Sequence, residues 1–193
     1  HPVQALVVKT FSEMSRVPQD EIQIGIDGCS VPVFGVPLRN AAWSFASLCD
    51  PGELPAQRAQ ACQRITTAMT HAPEMVSGPD QFDTELMKIG RGKIIVKGGA
   101  EGYQSIGLLP GALGKDSPAL GIVFKIADGD SIGRARPLVG IEILRQLGAL
   151  DEDQIQALSA FDIRPIQNWR KLNIGQLKPV FQLKFHDKSF QRS

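Results

Sequence analysis

The chain has 193 residues, enough for one domain with a substantial core, and 42% hydrophobic and 21% charged content is ordinary for a globular protein. Lys and Arg number 21 against 20 Asp and Glu, so charge gives no reason to expect nucleic acid or an anionic membrane as a partner. No run approaches the roughly 20 apolar residues of a membrane-spanning helix, and no secretory n-region and h-region opens the chain.

The first residues, His1-Pro2-Val3-Gln4, read as a helix start, because proline in the first turn loses no needed N–H. Val3, Leu6, Val7, Phe11 and Met14 recur at helical spacing and predict one apolar face. A helix beginning at residue 1, without Met or a lead-in, reads as a piece excised from a longer chain. Two β-branched runs follow, Ile22–Ile26 and Val31–Val36, with Asp27-Gly28-Cys29-Ser30 between them as a tight turn. That turn presents a carboxylate and a thiol together. The thiol of Cys29 reads either as a metal ligand or nucleophile, or as a small buried hydrophobe.

Helices are expected over Ala41–Leu48, stopped by Cys49-Asp50-Pro51-Gly52, and over Ala56–His71 after Pro55. The second should bury Ala61, Ile65, Ala68 and Met69, and Cys49 and Cys62 read as packing residues. Three cysteines without a Cys-x-x-Cys form neither a disulfide framework nor a zinc finger, and reduced thiols suit a cytoplasmic protein. His1, His71 and His186 stand far apart and read as surface or capping residues. Residues 72–78 read as a loop, and Asp80 as the cap of a short helix carrying Phe82, Leu86 and Met87.

Ile94–Lys97 reads as a strand ending in lysine and two glycines, Gly98 and Gly99, which leave room for a ligand or a neighbouring backbone. Lys97 either meets an anion or reaches outward to solvent. Tyr103–Leu109 and Leu120–Ile126 predict two further strands, and short connections make the sheet antiparallel. A helix is expected over Ile132–Leu147, a shorter one capped by Asp151 over Glu152–Ser159, and an edge strand over Val180–Phe185. The chain reads as one α/β unit over residues 1–193, its sheet mainly antiparallel with packed helices.

Several stretches, in this order, resemble the C-terminal part of the rhizobial-type bacterial L-asparaginases: Ile24-Gly25-Ile26-Asp27-Gly28-Cys29-Ser30-Val31-Pro32, Pro37-Leu38-Arg39-Asn40, His71-Ala72-Pro73-Glu74-Met75-Val76-Ser77-Gly78, Phe82-Asp83-Thr84 and Val96-Lys97-Gly98-Gly99-Ala100-Glu101-Gly102. His1-Pro2-Val3-Gln4 belongs to the same series, and the likeness runs to about Leu147, with 151–193 a weakly matched tail. The resemblance implies a serine β-lactamase-like (penicillin-binding-protein-like) fold in an incomplete domain. It also implies hydrolysis of L-asparagine to aspartate and ammonia through a serine acyl-enzyme, with a Ser-x-x-Lys nucleophile and a zinc held by two cysteines and a lysine. By this resemblance Cys29 is a zinc ligand, Asp27 a pocket carboxylate for the substrate's α-ammonium, and Lys97-Gly98-Gly99 the strand that β-lactamase-like enzymes write Lys-Ser/Thr-Gly. A glycine in the second position removes that hydroxyl.

No Ser-x-x-Lys occurs in the 193 residues. The expectation is therefore the latter half of an asparaginase-like enzyme: pocket and metal residues are present, no catalytic residue is, and the N-terminal half of the same protein is missing. The resemblance further implies a homodimer. Another β-lactamase-fold amidohydrolase, a glutaminase or peptidase, and a non-catalytic binding module remain as alternatives.

Overall fold

A computed structural model describes residues 1–185, so the expectation for His186 lies outside the described residues. The chain divides into two units, His1–Arg136 and Pro137–Ser193. In the first, helix α1 (Pro2–Ser15) starts on proline, with His1 Nδ1 accepting from the Val3 N–H at 3.3 Å. Its expected apolar face is mostly open, since Val3 and Leu6 are each 62% exposed. What anchors the helix is its second half. Phe11 lies 4.9 Å from Phe34 between ring centroids, and the Ser15 carbonyl accepts from Asn40 Nδ2 at 2.9 Å. Arg16 then stacks over Trp43, 3.9 Å from the ring centre.

Strands β1 (Gln23–Ile26) and β2 (Pro32–Gly35) form the hairpin that the Asp27-Gly28 turn predicts, with Ile26 opposite Pro32. The hairpin is a two-stranded sheet of its own. The single sheet expected from the sequence is thus divided, because β3 (Ile94–Gly98), β4 (Tyr103–Leu108) and β5 (Leu120–Lys125) make a separate antiparallel sheet in that order. Ile94, Ile95 and Val96 are buried, as a continuous β-branched run demands.

Helix α2 (Leu38–Cys49) lies across β4 and β5. A cross-strand pair of glycines, Gly107 and Gly121, lets it approach. A Cβ on Gly121 would run into the backbone of Ala42 and Ala46, and one on Gly107 would meet Cys49 Sγ at 2.5 Å. Cys49 is accordingly a packing residue, and burial, then the neighbouring Asp50, pushes its thiol up to about 12.

Helix α3 spans Ala56–His71 as expected, but its buried face is offset from the expected one. Cys62 and Thr66 are buried, whereas Ala61, Ile65 and Ala68 are exposed. Residues 72–78, expected as a loop, include a short helix α4 (Glu74–Ser77). Asp80 does not cap the next helix, α5 (Phe82–Ile89). It takes a left-handed conformation (φ 58°), and Gln81 holds the cap position.

The helix expected from Ile132 begins four residues later, as α6 (Arg136–Gln146). The buried Asp130 carboxylate collects the N–H groups of Arg134, Ala135 and Arg136 at 2.8–3.1 Å, so residues 131–135 form a capping turn instead. In the second unit, α7 (Glu152–Ala157) carries the expected Asp151 cap, completed as a capping box by Gln154. A hairpin of β6 (Arg164–Gln167) and β7 (Asn173–Leu177) follows, which the sequence reading lacks. The strand expected over Val180–Phe185 is not formed: these residues run without regular secondary structure. Gln146 bonds them instead: its Nε2 donates to the Phe181 carbonyl (2.9 Å) and its Oε1 accepts from the Leu183 N–H (2.7 Å).

Candidate active site

The Lys97–Gly99 strand end is built around a carboxylate that the sequence reading passes over. Asp83 sits in the first turn of α5 and is 4% exposed. Its Oδ2 accepts from the Gly98 N–H at 2.5 Å and from Ser77 Oγ at 3.1 Å, and its Oδ1 accepts from Gln104 Nε2 at 3.2 Å. Next to it, the Thr84 hydroxyl bonds the carbonyls of Pro73 (3.2 Å) and Gly78 (2.6 Å). Phe82-Asp83-Thr84 therefore ties the 71–78 segment to the strand end, and three of the stretches quoted above meet in one hydrogen-bonded cluster. An acidic residue between Phe82 and the buried Leu86 and Met87 is the signal that could have marked it.

Gly98 is flanked by opposite charges. A Cβ there would fall inside the guanidinium of Arg136 and stand 3.2 Å from Asp83 Oδ2. Arg136 Nη1 in turn donates to the carbonyls of Gly99 (3.3 Å) and Tyr103 (3.4 Å), closing the turn after the strand. At the second position of the Lys-Gly-Gly run the Arg136 guanidinium occupies the space that a hydroxyl-bearing side chain would take. Lys97 is exposed, and its Nζ donates to the Gly98 carbonyl at 2.7 Å. Ser105, across the strand pair, donates to the Lys97 carbonyl at 2.9 Å.

Asp27 and Cys29 lie on the β1–β2 turn, and both are exposed. Asp27 Oδ1 gathers three donors: the Cys29 N–H (3.0 Å), the Cys29 thiol (2.9 Å) and the Val31 N–H (3.3 Å). The thiol bond, then the backbone one, holds the Asp27 carboxyl below its ordinary value. The two groups bond to separate partners: Asp27 to its own turn, and Lys97 to Gly98 and Ser105.

A structural or catalytic zinc takes at least three protein ligands. Among the described residues no group of three or more His, Cys, Asp or Glu side chains could hold a metal. Cys49 and Cys62 are buried, with their thiols pushed up by burial, which leaves Cys29 as the exposed thiol, beside Asp27. The donors present do not by themselves fit the ion.

Fold and site define an α/β protein with separate antiparallel sheets, in which a buried carboxylate organises a lysine-tipped strand end. The sequence matches the L-asparaginase II family over residues 1–179, and the chain belongs to that family. The match extends well past Leu147 and contains both the Asp27 turn and the Lys97 strand. No curated protein matches the chain. Membership supports an asparaginase-like amidohydrolase with a small amide as substrate. No helix among the described residues is long and apolar enough to cross a membrane.

Proposed function

We propose that this chain serves the hydrolysis of L-asparagine to L-aspartate and ammonia, with Asp27 binding the α-ammonium and Lys97 the α-carboxylate. The observation that carries the reading is the family match, which takes in both residues in one span. Asp27 suits its part because the three donors on Oδ1 fix its orientation and favour its ionised form. Lys97 suits its part as an exposed cation beside Gly98 and Gly99, at the tip of a strand buried up to Val96.

In the proposed route a serine hydroxyl adds to the side-chain carbonyl, and its proton passes through a lysine to the leaving nitrogen as ammonia departs. Water then cleaves the resulting ester to aspartate. No serine among the 193 residues has a lysine three positions on, so the proposal places nucleophile and base on a further segment of the same enzyme. A serine β-lactamase-like architecture, a homodimer and a cytoplasmic setting belong to the same proposal and rest on the resemblance. Cys29 is the residue of this chain that would reach a zinc, with its other ligands supplied from outside these residues.

The test is ammonia release from L-asparagine and L-glutamine by the enzyme carrying its nucleophile segment. Asparagine turnover that falls at least tenfold in kcat/KM in Asp27→Asn and in Lys97→Ala is the expected result. Preference for glutamine, or two silent variants, would overturn the assignment.

A further inference from the structure

Among the described residues strand β3 pairs with β4 alone. The Gly99 N–H bonds the Tyr103 carbonyl at 2.9 Å, so by the alternation of an antiparallel ladder the N–H and C=O of Gly98 point to the unpaired edge. An edge of this kind is normally left to water or to another chain. Here both groups are taken internally: Asp83 Oδ2 holds the N–H at 2.5 Å and Lys97 Nζ holds the carbonyl at 2.7 Å.

We propose that Asp83 is a positioning residue for Lys97: by holding the Gly98 N–H it fixes the Lys97–Gly98 peptide plane, and with it the backbone from which the lysine side chain springs to rest its ammonium on the Gly98 carbonyl. Three further observations agree with the geometry. Ser77 and Gln104 both donate to the carboxylate, so it has little freedom to rotate. Arg136 restrains the Gly99–Ala100 peptide through the Gly99 carbonyl, which limits the strand end from the other side of Gly98. Gln104 is fully buried, gives its amide N–H to Asp83 and leaves its Oε1 without a partner among the described residues.

The inference rests on the proposed role of Lys97 in holding the substrate carboxylate. It requires the effect of Asp83 to travel through Lys97, which a purely structural residue would not do. The test is a double-mutant cycle in the enzyme carrying its nucleophile segment, combined with amide hydrogen exchange at Gly98. Asp83→Asn preserves shape, and Asp83→Ala is the second variant should the first misfold. The Gly98 amide is expected to be protected in the wild type and to exchange at least tenfold faster in either variant. KM for L-asparagine should rise about tenfold in Asp83→Asn, and the Asp83→Asn, Lys97→Ala double variant should be no worse than Lys97→Ala alone. A Gly98 amide that exchanges freely in the wild type, or two substitutions whose effects multiply, overturns the inference while leaving the asparaginase reading intact. A wild type that neither binds nor hydrolyses L-asparagine overturns that reading, and this inference with it.

Discussion

Gly98→Ala should destabilise the first unit by about 1–2 kcal/mol, and nearly all of the loss should come through Arg136. The new methyl would occupy the space of Nη1, while Asp83 Oδ2 at 3.2 Å needs to yield only slightly. Backbone strain contributes nothing, since Gly98 is not among the glycines with positive φ. The end of an arginine can swing away, so the clash itself is relieved cheaply. What is lost is its pair of bonds to the Gly99 and Tyr103 carbonyls, which are long and partly exposed and worth at most about 1 kcal/mol each. The assay is urea denaturation of wild type, Gly98→Ala, Arg136→Ala and the double variant, compared at constant m. Once Arg136 has been removed, the glycine substitution should cost less than about 0.5 kcal/mol. An unchanged cost in that background would refute the reasoning, and so would a neutral Gly98→Ala in the wild type.

Gly121→Ala should be far worse, about 3 kcal/mol or more or no folding at all, because its methyl meets the backbone of α2 rather than a movable side-chain tip; denaturation midpoints decide. Alkylation with iodoacetamide near pH 8, read by mass spectrometry, should label Cys29 and spare Cys49, whose thiol is pushed up to about 12, and Cys62, which is 3% exposed. Asp27 should titrate below 3.8 when followed by carboxyl NMR. Its folded value is lowered, so its contribution to the hairpin turn is present above the unfolded value and fades as pH falls through the folded one. A titration at or above 3.8 would mean that the thiol and backbone donors do not act on it.

Elements with local punctuation were legible in the sequence. Pro55 and the Ala72-Pro73 pair frame α3, Asp151 caps α7, and the Asp27-Gly28 turn gives the first hairpin in the right place. Which face an element buries was harder to read. On α3 the apolar Ala61 and Ile65 face out, while the small polar-edged Cys62 and Thr66 lie inside, so apolarity alone pointed to the wrong stripe. The β6–β7 hairpin escaped because its strands are short, mix polar and apolar residues, and lie largely exposed. Its turn is set by the Asn168 side chain, which accepts from the Arg170 and Leu172 N–H groups. The alternation over 180–185 is real, with Phe181 and Leu183 half-buried, but the partner is the side chain of Gln146, 35 residues away. Lys97, Gly98 and Gly99 could be singled out from residue types alone. Asp83 had only its place among the apolar Phe82, Leu86 and Met87 to mark it, and an acid in a first helical turn otherwise reads as a partner of the helix dipole until the fold brings Gly98 to it.

The most direct test is to express residues 1–193, supply L-asparagine and follow ammonia, with zinc titrated in parallel. The expected result is no turnover and weak, substoichiometric zinc, because these residues offer Cys29 and Asp27 but no serine with a lysine base. Sustained ammonia release would contradict that, as would one zinc per chain bound at submicromolar affinity, about −8 kcal/mol or tighter. Either result would show that the chain carries a nucleophile or a metal site other than those reasoned from its residues.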